Sequence, residues 1–150
     1  TIGYDDMNTR DWEVHDFLLP VCIDGVWYAH YWQNPLTGKP IGGMAQTMLK
    51  TLGHSFVQGH RQVYESANRF VAGQRQNAVI AGAFYLHDED YKGYQGNAHW
   101  RGLLVFHEVK DGAFDIMEVS MDYLCQKYEG VPLREFLNEK YPDQEGTLWR

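Results

Sequence analysis

The chain has little of what would class it at a glance. Two cysteines in 150 residues are too few for a disulfide framework, and five prolines exclude a collagen-like or proline-rich chain. Both cysteines read as free small hydrophobes: Cys22 lies in the apolar run 17–23, and Cys125 lies in the helical segment 122–128. That usage fits a reducing, cytoplasmic setting, although a cleaved secretion signal would leave no trace. No apolar run approaches the roughly eighteen residues of a membrane-crossing helix, and residues 1–10 hold no basic stretch feeding an apolar one. We expect neither a membrane span nor an intact signal peptide, and no membrane partner. Positive charge is scarce too. The 13 Lys and Arg face 20 Asp and Glu, and the net charge of −7 argues against a general nucleic-acid surface.

Cofactor signatures are also missing. The sequence has no dinucleotide-binding glycine fingerprint, no P-loop and no HExxH, so we expect no cofactor. Gly53-His54-Ser55 begins like a nucleophile elbow but lacks the glycine two places after the serine. His54 and His60 would diverge on a continuous helix, which removes them as joint metal ligands. Asp88-Glu89-Asp90 has the charge for a hard cation without the spaced oxygens of a calcium loop, and reads as a solvated turn. No metal is expected.

What is present is a composition that is 44% hydrophobic and 15% aromatic, enough for one core over residues 1–150. Asp24-Gly25 signals a hairpin between an extended segment ending near Ile23 and the aromatic ribbon 26–32. From Ala45 onward, Leu49, Leu52, Phe56, Val63, Ala67 and Phe70 share one face at about 100° per residue, with Lys50, Gln58, Arg61 and Glu65 opposite. This spacing predicts a long amphipathic helix over 44–71, with Gly53 as a point of bend or break. Strands follow at 78–86, 100–109 and 113–119, the last two closed around Asp111-Gly112; helices are predicted at 122–128 and 131–137, the first with Ser120 and Asp122 as its start signals. The expected fold class is therefore α+β: an antiparallel sheet packed on one long helix, with short C-terminal helices. The tail beyond Pro142 is expected as a surface loop.

Four residues are candidates for acid–base chemistry. His60 falls at the margin of the predicted helix's apolar face, beside Gly59, whose missing side chain lets a strand or ligand approach. His107 and Asp115 face each other if the hairpin turn has three residues; a two-residue turn places Glu108 opposite Asp115 instead. The first register, which we favour, joins an imidazole to a carboxylate. Glu118 shares the face of Phe114 and Ile116. Each of these residues also has an ordinary structural role as a boundary or bridging group. Trp27 and Tyr31, with Gly59, are the candidate ligand contacts. Residues 26–75 form a local positive island, suited to an anionic ligand or to pairing with the acidic ends.

Two functional classes remain. One is a soluble protein that binds an apolar or aromatic small molecule between sheet and helix, with metal-free lyase, isomerase or hydrolase chemistry as its catalytic version. The other is a non-catalytic interaction protein whose Trp/Tyr ribbon serves self-association or a partner protein.

Overall fold

The computed structural model describes residues 8–142; the tail beyond them lies outside the description. The elements run β1 (Val21–Ile23), β2 (Val26–Ala29), α1 (Ala45–Leu52), β3 (Phe56–Gln58), β4 (Tyr64–Val71) and β5 (Gln74–Ala81). A 3₁₀ turn (Asp90–Lys92), α2 (Gly93–Asn97), β6 (Gly102–Lys110), β7 (Ala113–Ser120), α3 (Met121–Tyr128) and α4 (Leu133–Lys140) complete them. No helix of the described residues is long and apolar enough to cross a membrane.

Three two-residue turns organise the strands. Asp24-Gly25, Ala72-Gly73 and Asp111-Gly112 all sit at positive φ, the backbone of a type I′ hairpin turn. They close β1 on β2, β4 on β5 and β6 on β7. The first two hairpins share one mixed sheet in the order β1-β2-β3-β5-β4, in which β2, β3 and β5 run parallel. Helix α1 is the connection that parallel β2 and β3 require. The β6–β7 hairpin forms a separate ribbon.

Both faces of the large sheet are covered. Helix α1 lays Ala45, Met48 and Leu49 against Trp32, Phe56, Ala78 and Ile80. On the other face Val26 and Val79 pack with Phe114 of the ribbon, joined by Leu104, Phe106 and Ile116. Consecutive residues Ala78, Val79 and Ile80 are therefore all buried, as expected where a strand is covered on both sides. The hairpin tips also dock. The Gly112 N–H donates to Asp24 O at 2.8 Å, and a side chain on Gly25 would meet the Gly112 nitrogen at 2.6 Å. Only glycine allows that approach.

The C-terminal helices form a third packed cluster, with Met121, Cys125, Leu133 and Leu137 set against Leu86. Ser120 caps α3, its Oγ accepting the Tyr123 N–H at 3.1 Å. Asp122 Oδ1 accepts the Leu133 N–H at 3.1 Å and ties the start of α4 to α3.

The mixed α+β class stands, but the long helix does not. Helix α1 ends at Gly53, whose φ of +76° and N–H bond to Leu49 O stop it after two turns. The rest of 44–71 becomes β3 and β4. Phe56 is buried as expected, yet on a strand, whereas Val63 and Phe70 are exposed and Leu52 is half-buried. Arg61 and Glu65, expected in solvent, are part-buried and joined at 2.8 Å. The sheet is mixed rather than antiparallel. Two smaller readings also change: Cys22 is exposed on the edge strand, and Asp88 is part-buried, ion-paired at 3.1 Å with the buried Arg101.

Candidate functional site

The helix–sheet interface holds no ligand space, because Met48, Leu49, Phe56 and Ile80 fill it to zero exposure. Among the described residues, clefts of ligand size lie elsewhere: one polar, one apolar, and a smaller one of about 310 Å³ where Val57 and residues 81–84 meet residues 102–104 and Phe106 of the β6 ribbon.

The polar cleft, of about 530 Å³, is walled by His60, Arg61, Gln62 and Val63 from the β3–β4 loop and by Tyr91, Lys92, Gly96 and His99 across from them. His60 has φ +61°, unusual for a residue with a side chain and characteristic of strained functional loops. Its Nδ1 lies 3.1 Å from His30 Nε2, so the two imidazoles share one proton across the contact. Tyr31 meets both at an angle, with ring centres 5.0 Å from His60 and 5.6 Å from His30. Phe17 covers His30 at 5.3 Å. Gly59 lies under this cluster, leaving ordinary van der Waals space of 3.9 Å to His30. Arg61 is pinned, donating to Gly43 O at 2.5 Å and to Glu65 Oε1 at 2.8 Å, while Glu65 Oε2 accepts the Ala45 N–H at the start of α1.

On the opposite wall, His99 Nδ1 donates to Gly96 O at 3.2 Å, which leaves Nε2 with a lone pair; that atom is buried and meets no partner. Burial, assisted by the Arg101 and Lys92 charges, holds this imidazole below its ordinary pKa against the pull of Gly96 O and Asp88. It is therefore neutral at neutral pH. Its ring meets Tyr85 edge-on at 6.0 Å.

The apolar groove, of about 470 Å³, lies between Phe84-Tyr85-Leu86 and the α3–α4 pair. Met121, Leu124, Cys125, Tyr128, Glu129, Leu133 and Phe136 complete its lining. Burial, with Glu129 and Asp122 nearby, pushes the Cys125 thiol above its usual range, so it presents an uncharged S–H. Burial first, and Glu89 second, raise the Tyr85 phenol likewise.

Of the residues singled out from sequence, His60, Gly59 and Tyr31 come together; the others do not join them. His107 does stand opposite Asp115, but Lys110 stands opposite Ala113, so the turn has two residues and a bulge restores the register. Both side chains are exposed, and Asp115 takes Arg75 at 2.7 Å rather than the imidazole. Glu118, also exposed, accepts the Tyr64 hydroxyl at 2.8 Å. Trp27 sits by His54, with ring centres 5.7 Å apart. Among the described residues no three His, Cys, Asp or Glu side chains gather as metal ligands. Sequence reasoning missed His30, Lys92 and His99. His30 lay among aromatics with no spacing signal, and the other two lay in or next to a stretch read as loop. Comparison with protein-family models, curated proteins and solved structures finds no match to the chain.

Proposed function

We propose that the chain binds an apolar or aromatic small molecule in the groove between residues 84–86 and the α3–α4 pair. The groove itself carries this reading. Its volume of about 470 Å³ is of ligand size, and its walls are almost wholly leucine, methionine and aromatic carbon, with Glu129 and the tyrosines as polar handles. The proposal moves the sequence-based pocket from the α1 face to the α3–α4 face and keeps its chemistry. None of His60, His107, Asp115 or Glu118 lines the groove, so these four residues have no part in the binding proposed there.

A fluorescence titration with the neutral dye Nile Red tests it in the parent, in Phe84→Ser and in Leu124→Gln. Phe84 is 62% exposed, so its replacement leaves the fold in place. We expect saturable binding that weakens about tenfold in either variant, a difference of about 1.4 kcal/mol. Unsaturable binding, or equal affinity in folded variants, would refute the reading.

A second reading rests on exposed aromatics beside an edge strand. Trp12 and Phe17 are 76% and 69% exposed, and Ile23 projects from β1. Such an edge is a template for self-association. Sedimentation of the parent and of Ile23→Lys tests it: a dimer that the lysine dissociates supports this reading, and a monomeric parent refutes it.

A further inference from the structure

The outer side of β4 is a surface that neither the apolar groove nor the polar cleft uses. β4 is the last strand of the large sheet, and among the described residues no segment pairs with its outer side. Natural edges are blunted by shortness, proline, lysine or a bulge. β1, at the opposite edge, is three residues long and follows Pro20. β4 runs eight residues with no proline, no lysine and an unbroken register to β5.

The hairpin fixes which backbone groups of β4 are open. Its two-residue turn makes Val71 and Gln74 a hydrogen-bonded pair, and the ladder alternates from there. Val71, Arg69, Ala67 and Glu65 therefore bond to β5, while the N–H and C=O of Phe70, Asn68, Ser66 and Tyr64 point away from it. Asn77, opposite Asn68, obeys the same alternation: its N–H turns from β4 and donates to Ser55 Oγ at 3.0 Å. The side chains of Glu65 and Arg69 flank Ala67 symmetrically on the face toward α1. Each Glu65 oxygen holds one bond, to Arg61 or to the Ala45 N–H, and keeps a second lone pair. Arg69 Nε donates to Gln76 Oε1 at 2.8 Å, and the guanidinium has no carboxylate partner among the described residues.

We infer that β4 pairs antiparallel with β4 of a second copy of this chain, about a two-fold axis at Ala67. This register sets Glu65 opposite Arg69 of the second copy at both ends, and Tyr64 opposite Phe70, which is 71% exposed in the single chain. Neighbouring registers that also oppose open groups to open groups lose the match. Centred on Glu65 or Arg69 they oppose like charges, and centred on Ser66 or Asn68 they set Arg69 against Val63 or Ala67. This self-complementary pattern selects a second copy over an unrelated strand.

Sedimentation of the full chain at rising concentration, with the parent, Arg69→Glu and Ile23→Lys side by side, is the first test. We expect parent dimers and, in Arg69→Glu, a dissociation constant at least about tenfold higher, because Glu65 then meets a second carboxylate. Thermal unfolding at low concentration should be unchanged. Cross-linking tests the register in a Cys22→Ser background. Ala67→Cys should oxidise to a covalent dimer, since residues opposite each other in such a non-hydrogen-bonded pair stand about 4.5 Å apart at Cα, within disulfide range. Asn68→Cys, opposite Ser66 of the second copy, should not. A parent that stays monomeric overturns the proposal, as does association that Arg69→Glu leaves undiminished; if Ile23→Lys abolishes that association, the contact lies at β1 instead. Cross-linking of Asn68→Cys in preference to Ala67→Cys overturns it as well.

Discussion

Asn77 joins the two sheets, and its replacement measures how firmly they are joined. It lies in the covered strand β5, 2% exposed, with its carboxamide spanning the gap to β7. Nδ2 donates to Phe114 O at 3.2 Å, and Oδ1 accepts the Phe114 N–H at 3.4 Å, a reciprocal pair like one rung of a β-ladder. Asn77→Leu keeps the volume and removes both bonds. The Phe114 carbonyl keeps Arg75 Nη2 at 2.6 Å, so its loss is one ordinary bond, about 0.5–1.5 kcal/mol. The Phe114 amide loses its acceptor inside a buried layer, at about 1–3 kcal/mol. Leucine in this buried position returns about 1 kcal/mol of apolar burial. The net expectation is a loss of about 0.5–3.5 kcal/mol. Urea denaturation, followed by two probes to check two-state behaviour, measures it. Asn68, opposite on β4 and exposed, is the control: Asn68→Leu should stay within about 0.5 kcal/mol. An Asn77→Leu loss no larger than the control's would refute the argument that this amide couples the layers.

Leu49 has no exposure in α1, so Leu49→Ala should cost about 2–5 kcal/mol in the same assay, while the half-buried Leu52→Ala costs visibly less; equal values would contradict the two-turn helix. The exposed Cys22 should react at once with a thiol reagent at mildly alkaline pH, and Cys125, buried and shifted upward, only on unfolding; two fast thiols would contradict the α3–α4 packing. Because burial holds His99 below its ordinary 6.5, the unfolded chain binds that proton first. Stability from this residue is therefore present above about 6.5 and declines as pH falls below it. Denaturation on either side of that pH should show a larger acid loss in the parent than in His99→Phe, and equal losses would refute the assignment.

The elements legible in the sequence were those announced by local chemistry. Asp24-Gly25 and Asp111-Gly112 named two hairpins because only certain residues accept positive φ in sequence, and Ser120 named the start of α3 because its hydroxyl caps a free N–H. The error over 44–71 came from a pattern that two structures satisfy. Leu49 and Ala45 do lie on a helix, but Phe56 faces the same core from a strand, and Ala67 reaches it by the alternation of β4. Gly53 marked the break. Its position outweighs a hydrophobic period, since a glycine at C′ ends a helix whatever follows it. The third hairpin, at Ala72-Gly73, was hidden by the same error, because alanine is a weak turn signal. For the candidate site, His60 and Tyr31 were legible as polar groups on apolar elements. His30, Lys92 and His99 were not: contacts between chain-distant loops leave no period.

The β6 bulge decides which residues of that strand face the core. On a regular strand Leu103, Val105 and Val109 share one face and Leu104 and Phe106 the other, so alternation alone makes both faces apolar. In the fold, Leu104 and Phe106 face the core, and regular alternation would send Glu108 after them. Instead Glu108 takes φ +53°, and with Val109 it opposes the single residue Phe114. The extra residue turns the carboxylate outward and gives its inward place to Val109, which packs against the cluster of Val26, Val79 and Phe114. Leaving a carboxylate inside without a partner would cost several kcal/mol, more than the roughly 1–2 kcal/mol of a left-handed residue. The bulge is thus the cheaper way to keep two long strands paired over an apolar layer. It also explains why His107 and Asp115 meet across the ladder yet do no chemistry in the interior: their register survives on the solvent side, where Arg75 claims the carboxylate.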